Sequence, residues 1–187
     1  KFELQINSLG CNKCRPAYRE TLKKSISKHL SDLCENCNKR YQKNPLRVLD
    51  CKVDRDIQIA TALPKITEHI CGECKTHFDK VQALLMGAKI PYSVNSNLVR
   101  GLDYYTHTAF EITSGHLGAQ NAICGGGRYN SLVEEFEGPS TPCFGFALGL
   151  ERLISLVPFD KIKNVENKPD IYAVSLGEEA KAMIFNL

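Results

Sequence analysis

The chain has 187 residues, 43% of them hydrophobic and 24% charged, a globular composition with room for one or two cores of ordinary size, which excludes a disulfide-stapled miniprotein. Its 24 basic residues against 21 acidic ones leave a net charge of +3, too mild to argue for or against a polyanionic partner. No run of about 18 apolar residues offers a membrane span.

Phe2 to Asn7 alternate apolar and polar, which predicts a half-buried strand with Phe2, Leu4 and Ile6 inward, ended by Ser8-Leu9-Gly10. A chain that opens inside a strand, without the apolar core of a leader, is expected to be an excised piece. From Pro16, residues Tyr18, Leu22, Ile26, Leu30 and Leu33 recur at three- and four-residue spacing and predict one amphipathic helix of about 18 residues. Its basic face (Arg19, Lys23, Lys24, Lys28) reads as solvated or as a surface that contacts RNA. A short basic helix through Lys39 and Arg40 should stop at Asn44-Pro45, because a residue before proline is pushed out of the helical region, and Leu46 to Leu49 should then be extended. A further helix from Gly72 to Met86 presents Phe78, Val81, Leu84 and Leu85, with Gly87 as its left-handed cap.

From residue 88 the pattern turns to strands. Ile90, Tyr92 and Val94 alternate, Asn95-Ser96-Asn97 turns, and Leu98 to Thr113 is rich in β-branched and aromatic residues. Ala119 to Cys124 predicts another strand leading into Gly125-Gly126-Gly127-Arg128, and Ser131 to Phe136 a short helix. Phe144 to Ala147 predicts a strand and Leu148 to Leu156 a helix halted by Pro158. After a polar linker of Lys161 to Lys168, Pro169 to Val174 predicts a buried strand and Glu178 onward a helix.

Six of the nine cysteines fall in three Cys-x-x-Cys pairs, Cys11/Cys14, Cys34/Cys37 and Cys71/Cys74, a spacing that lets two thiolates reach one Zn²⁺ at about 2.3 Å. The helix after Cys14, about 27 Å long at 1.5 Å per residue, would hold Cys11/Cys14 and Cys34/Cys37 apart. The favoured ligand set is therefore Cys34, Cys37, Cys71 and Cys74, around one structural Zn²⁺. Cys11/Cys14 would be free or would join Cys51 in a second site. Reduced structural thiols, or disulfides in an exported protein, are the alternatives.

Three features suit a polyphosphate ligand: Arg100 in Leu98-Val99-Arg100-Gly101-Leu102-Asp103-Tyr104-Tyr105, the three glycines before Arg128, and Arg152 in a helix preceded by Gly145 and Gly149. Arginines do not deprotonate, and a strand without side chains lets a ligand lie against the sheet. No P-loop pattern occurs.

In this order these motifs, with Phe110-Glu111, Gly126-Gly127-Arg128-Tyr129, Gly145 to Leu153 and Asn44 to Asp50, resemble the histidyl-tRNA synthetases, which are class II aminoacyl-tRNA synthetases. The resemblance implies an α+β fold, an antiparallel class II synthetase-type sheet flanked by helices, with a helical insertion module. It divides the chain into a catalytic-domain strand (1–10), the insertion domain (11–87), the C-terminal half of the catalytic domain (88–160) and a linker with the first elements of an anticodon-binding domain (161–187). It implies ATP- and Mg²⁺-dependent activation of L-histidine to histidyl-adenylate, then transfer to tRNA(His), by a cytoplasmic homodimer with no membrane association.

By the same resemblance Arg100 is the catalytic arginine at the α-phosphate. Tyr104, Tyr105, Gly126 and Gly127 form the histidine pocket, Gly149 and Arg152 join Arg100 in binding ATP, and Arg128 braces the pocket from beneath. Asn130-Ser131 departs from the family pattern. Class II motifs 1 and 2 and the carboxylate beneath the substrate imidazole are missing, so the isolated chain is expected to be inactive while its longer parent is a ligase. The alternative from another class is a non-catalytic paralogue that senses histidine or regulates another enzyme.

Overall fold

The computed structural model describes residues 1–118, 120–162 and 171–185. Residues Lys1–Ile154 form one compact unit and Ser155–Leu187 a second.

The first unit is built on five strands, β1 (Phe2–Ser8), β2 (Tyr92–Val94), β3 (Thr106–Ser114), β4 (Ala122–Arg128) and β5 (Phe144–Leu148), in the order β2-β1-β3-β4-β5. The β1–β3, β3–β4 and β4–β5 pairs are antiparallel, as expected; β1 and β2 run parallel. Two parallel strands need a crossover, and here the whole helical segment between them serves as one. That segment carries α1 (Arg15–Ile26), α2 (Glu35–Lys43), α3 (Asp54–Ala62) and α4 (Gly72–Gly87).

Helix α1 buries Tyr18, Leu22 and Ile26 completely, the four-residue stripe read from the sequence. It is shorter than expected, because Ser27–His29 tighten into a 3-10 turn. The stripe packs on Val48, Leu49, Leu63 and Ile66, and the same core continues to Leu9, Val99, Tyr105 and Ala109 of the sheet half. Helical module and sheet thus share one apolar interior.

Three local expectations need correction. Residues Pro45–Asp50 form a 3-10 helix where an extended segment was expected: Asn44 accepts a hydrogen bond from the Leu46 N–H and Pro45 occupies the first turn, so the Asn-Pro pair starts a helix as well as stopping one. Gly87 stays helical, and the left-handed residue beyond α4 is Lys89, with φ of 55°. Helix α3 has no counterpart in the sequence reading.

Short helices α5 (Leu132–Glu135) and α6 (Leu150–Ile154) follow β4 and β5, and in the second unit α7 (Phe159–Ile162) and α8 (Glu178–Phe185) are helical, the last as expected. The polar linker beyond Ile162, with Pro169 and Asp170, lies outside the described residues. Residues 171–176 form no strand; Ile171 and Tyr172 are 83% and 85% exposed. A strand is held by backbone pairing and by burial of alternate side chains, and among the described residues this segment has neither.

On β1 the alternation is only partly realised, since Phe2 is exposed while Asn7 is fully buried. The Asn7 amide donates to the Leu98 carbonyl (2.9 Å) and the Ser96 carbonyl (3.3 Å), and its oxygen accepts from the Ser8 N–H (2.9 Å). It thereby anchors the loop that leads to Arg100. Asn7→Ala should lower stability by about 1–3 kcal/mol, because it leaves a buried carbonyl unpaired, read as a lower urea midpoint with unchanged slope.

Candidate active site

Successive strand residues face opposite sides, so the register sorts the sheet into two faces. Gln5, Glu111, Gly125 and Ala147 lie opposite one another across β1, β3, β4 and β5, and so do Asn7, Ala109, Gly127 and Gly145. These two rows share a face. Between Glu111 and the strand edge it carries only glycine and alanine. The intervening row, Ile6, Phe110, Gly126 and Phe146, belongs to the other side. There α4 adds His77, Val81 and Leu85 to an apolar cleft of about 460 Å³.

Arg100 lies on the small-residue face. Its Nη1 donates to Glu111 Oε2 at 2.7 Å, and both side chains are largely shielded from solvent. Any Cβ at position 125 would fall 2.6 Å from the Arg100 Cζ, so glycine there is what allows the guanidinium to lie on the strand. The Arg100 Nε is buried and has no hydrogen-bond partner among the described residues.

Beside it stand three tyrosines. Tyr104 and Tyr105 pack at 4.6 Å between ring centroids, and Tyr129 meets them edge-on at 5.5 and 6.1 Å. A Cβ at Gly127 would come within 3.2 Å of the Tyr105 ring, and one at Gly145 would strike the Tyr129 hydroxyl. Its hydrogen bond to Tyr105, and then burial, push the Tyr104 hydroxyl above its ordinary pKa. Residues of the helical segment hold this loop. Arg15 donates to the carbonyls of Asp103 (3.2 Å) and Tyr105 (2.9 Å), and the Asn44 amide donates to the Asp103 carboxylate.

Arg100, Tyr104, Tyr105 and Gly127 therefore come together, whereas Gly126 does not join them. It faces the other side, where a Cβ would meet the Gly145 carbonyl and Phe146. Gly125, Glu111 and Tyr129 take places at the site that the sequence reading did not assign. Strand alternation held the signal, since 125 and 127 share a face and 126 cannot. Arg152 donates to the carbonyls of Ala122 (2.7 Å) and Gln120 (3.1 Å), which puts it at the start of β4, about 10 Å along the strand from Gly125. The Gly149 N–H bonds the Ile123 carbonyl and fixes the entry to α6 (Leu150–Ile154) beside it. Arg128 is bonded to Asn130 and lines the α4 cleft, on the far side from Arg100.

The cysteines sort differently from expectation. Cys34/Cys37 and Cys71/Cys74 do not meet. Instead Cys71 and Cys74 join Cys11 and Cys14, while Cys34 and Cys37 join Cys51 and Asp56, and within each set the ligand atoms lie within 4.8 Å of one another. The cause is topological: α4 returns the chain to the sheet beside the point where it left, so the pairs flanking the crossover meet. In the first set Cys11–Cys14, Cys14–Cys74 and Cys11–Cys71 are 3.5, 3.8 and 4.0 Å apart. Four sulfurs at 2.3 Å from one ion would be about 3.8 Å apart, so the geometry suits a tetrahedral metal. The Cys71 N–H donates to the Cys14 sulfur at 3.0 Å. Burial opposes ionisation of Cys11, but hydrogen bonds from the Cys14 and Lys13 backbone bring its pKa down to about 7. His107, at a left-handed φ of 52° on β3, places Nδ1 3.6 Å from the Cys74 sulfur.

A mostly antiparallel five-stranded sheet flanked by helices is the fold of the class II aminoacyl-tRNA synthetases. The profile of the histidyl-tRNA synthetase family matches residues 9–153. The histidine–tRNA ligase of Trichlorobacter lovleyi is 48% identical over 98% of this chain and 43% of its own length. That of Caldanaerobacter subterraneus subsp. tengcongensis is 45% identical over all of this chain and 45% of its own. The crystal structure of apo histidyl-tRNA synthetase from S. aureus superposes with a TM-score of 0.60 at 34% identity, covering 99% of this chain and 45% of that one. The chain belongs to the histidyl-tRNA synthetase family, and it spans less than half the length of these relatives.

Gly125→Ala should destabilise the protein by about 1–3 kcal/mol, since Arg100 must leave the strand. Gly87→Ala, with nothing within 4 Å of the added methyl, should be neutral or stabilising by up to about 1 kcal/mol. Chemical denaturation of the two variants side by side checks this.

Proposed function

We propose that this chain is the Arg100-bearing part of a histidine–tRNA ligase. The observation that supports it best is the Arg100–Glu111 pair laid on Gly125, beside Tyr104 and Tyr105. In the proposed reaction a carboxylate oxygen of L-histidine attacks the α-phosphorus of ATP, pyrophosphate leaves with its Mg²⁺, and histidyl-adenylate forms. A terminal ribose hydroxyl of tRNA(His) then attacks the adenylate carbonyl and AMP departs.

Arg100, oriented by Glu111, would hold a fixed positive charge where negative charge builds on the α-phosphoryl oxygens. Tyr104 and Tyr105, with Gly127, would line the histidine pocket; a site built to hydrogen-bond an imidazole rejects side chains that leave its polar groups unpaired. Arg152, at the other end of the strand, would take the γ-phosphate by exchanging its carbonyl partners for phosphate oxygens, with Gly149 beside it. Residues 11–87 would be the insertion domain, 88–160 the C-terminal half of the catalytic domain and 161–187 the approach to an anticodon-binding domain. The longer protein would work as a homodimer in the cytoplasm. The relatives' names do not favour the regulatory alternative.

We also propose that Cys11, Cys14, Cys71 and Cys74 hold a structural Zn²⁺, which would clip the two ends of the insertion to one another. Cys74→Ser should then remove one zinc equivalent and lower the thermal midpoint.

In the full-length protein containing this chain, Arg100→Ala should cut histidine-dependent ATP–pyrophosphate exchange by about 10²–10³-fold. Exchange at the parental rate in that variant would overturn the assignment.

A further inference from the structure

We infer that Cys34, Cys37, Cys51 and Asp56 form a second metal site, independent of the tetrathiolate cluster, that takes one divalent cation of the zinc type through three thiolates and one carboxylate. It goes beyond the single zinc proposed above.

The four residues come from three short elements. Cys34 caps α2, Cys37 lies in its first turn, Cys51 follows the 3-10 helix and Asp56 stands in the first turn of α3. Their spacing is Cys-x2-Cys-x13-Cys-x4-Asp. Cys34 and Cys51 sulfurs are 3.9 Å apart, close to the roughly 3.8 Å edge of a tetrahedral zinc–thiolate site and far from the roughly 2 Å of a disulfide. Cys51 Sγ and Asp56 Oδ2 are 3.2 Å apart, near the roughly 3.5 Å that one sulfur and one oxygen ligand of a tetrahedral ion would show.

Two further observations point to an ion rather than to packed thiols. Cys37 and Asp56 are fully buried, and no cationic side chain pairs with Asp56 among the described residues. Among the described residues its oxygens accept from the Cys34 N–H, at 3.2 and 3.3 Å, and from thiols of the same set, Cys51 at 3.2 Å among them. A carboxylate taken out of water without a counter-charge is costly, and a bound cation removes that cost. Moreover, backbone N–H groups already point at the sulfurs, from Cys37 to Cys34 (3.4 Å) and from Val53 to Cys51 (3.5 Å). Such donors would hydrogen-bond metal-bound sulfurs from outside the ion's own ligand shell. Zinc binding would release the three thiol protons to solvent, leaving three thiolates and a carboxylate on the ion.

The test is a metal count on the whole 187-residue chain, purified under reducing conditions with Zn²⁺, by native mass spectrometry and elemental analysis. Two zinc equivalents are expected, falling to one in Cys51→Ala and to one in Cys74→Ala. A parent count of two supports the second site without any variant, and a count of one is assigned by the variants, with Cys51→Ser and Cys74→Ser in place of any alanine variant that fails to fold. One equivalent that persists in Cys51→Ala and vanishes in Cys74→Ala would overturn the second site and leave the first standing. One that vanishes only in Cys51→Ala would support this site and overturn the first. A zinc-free parent chain would overturn both.

Discussion

Everything at the candidate active site depends on the missing side chain at position 125. Arg100 could not reach Glu111 across β4 if a Cβ stood there, because the guanidinium occupies that volume. The same constraint repeats along the face: Tyr105 uses the space above Gly127 and Tyr129 the space above Gly145. Glycine costs a strand some stability, since it has no side chain to pack and more backbone freedom to lose. Here the space left open is filled by three side chains from loops, which recover part of that packing and turn it into a charged and aromatic rim.

A rim made of loops needs holding, and the holding comes from outside the sheet. Asn7 fixes the loop before Arg100 through its bonds to Ser96 and Leu98, while Arg15 and Asn44 fix the loop after it at Asp103 and Tyr105. Two of these three residues lie in the helical segment. Burial lowers the pKa of Arg15, and the neighbouring Asp103 opposes that shift. The helical module is therefore mechanically continuous with the tyrosine pair, as the shared core of Tyr18, Leu22, Val99 and Tyr105 also requires.

The sequence disclosed the elements more readily than their partners. Periodicity found α1 and β1, since Tyr18, Leu22 and Ile26 recur as a helical face and Leu4 and Ile6 alternate with polar neighbours, whereas β3 was legible from its β-branched and aromatic content. It missed α3, where Val53 offers no side-chain cap and Ile57 and Ile59, two residues apart, break the helical stripe. Arg100, Tyr104 and Tyr105 were legible through motif order. Gly126 was carried over with Gly127 by the resemblance, although the two-residue period places 125 and 127 on one face and 126 on the other. The cysteine partners were illegible for a different reason. Helix length ruled out one pairing of the three pairs, but choosing between the others needs the crossover's path. Only the fold brings Cys51 and Asp56, neither part of a pair, to the same point.

That path explains why the helical module tolerates such short elements. Helices α2 and α3 have nine residues each, below the length at which an isolated helix holds in water. Their apolar contribution is small: α2 buries only Cys37 and α3 only Ala60 and Asp56. Packing alone therefore supplies little to fix their mutual angle, whereas the Cys34 N–H bonds to Asp56 link the N-termini of both helices directly. Negative charge from Asp56 at the start of α2 also favours that helix's dipole. The polar cluster thus does for α2 and α3 what the Tyr18 stripe does for α1, and the two kinds of contact meet at Cys37, which is at once a member of the cluster and a buried part of the core.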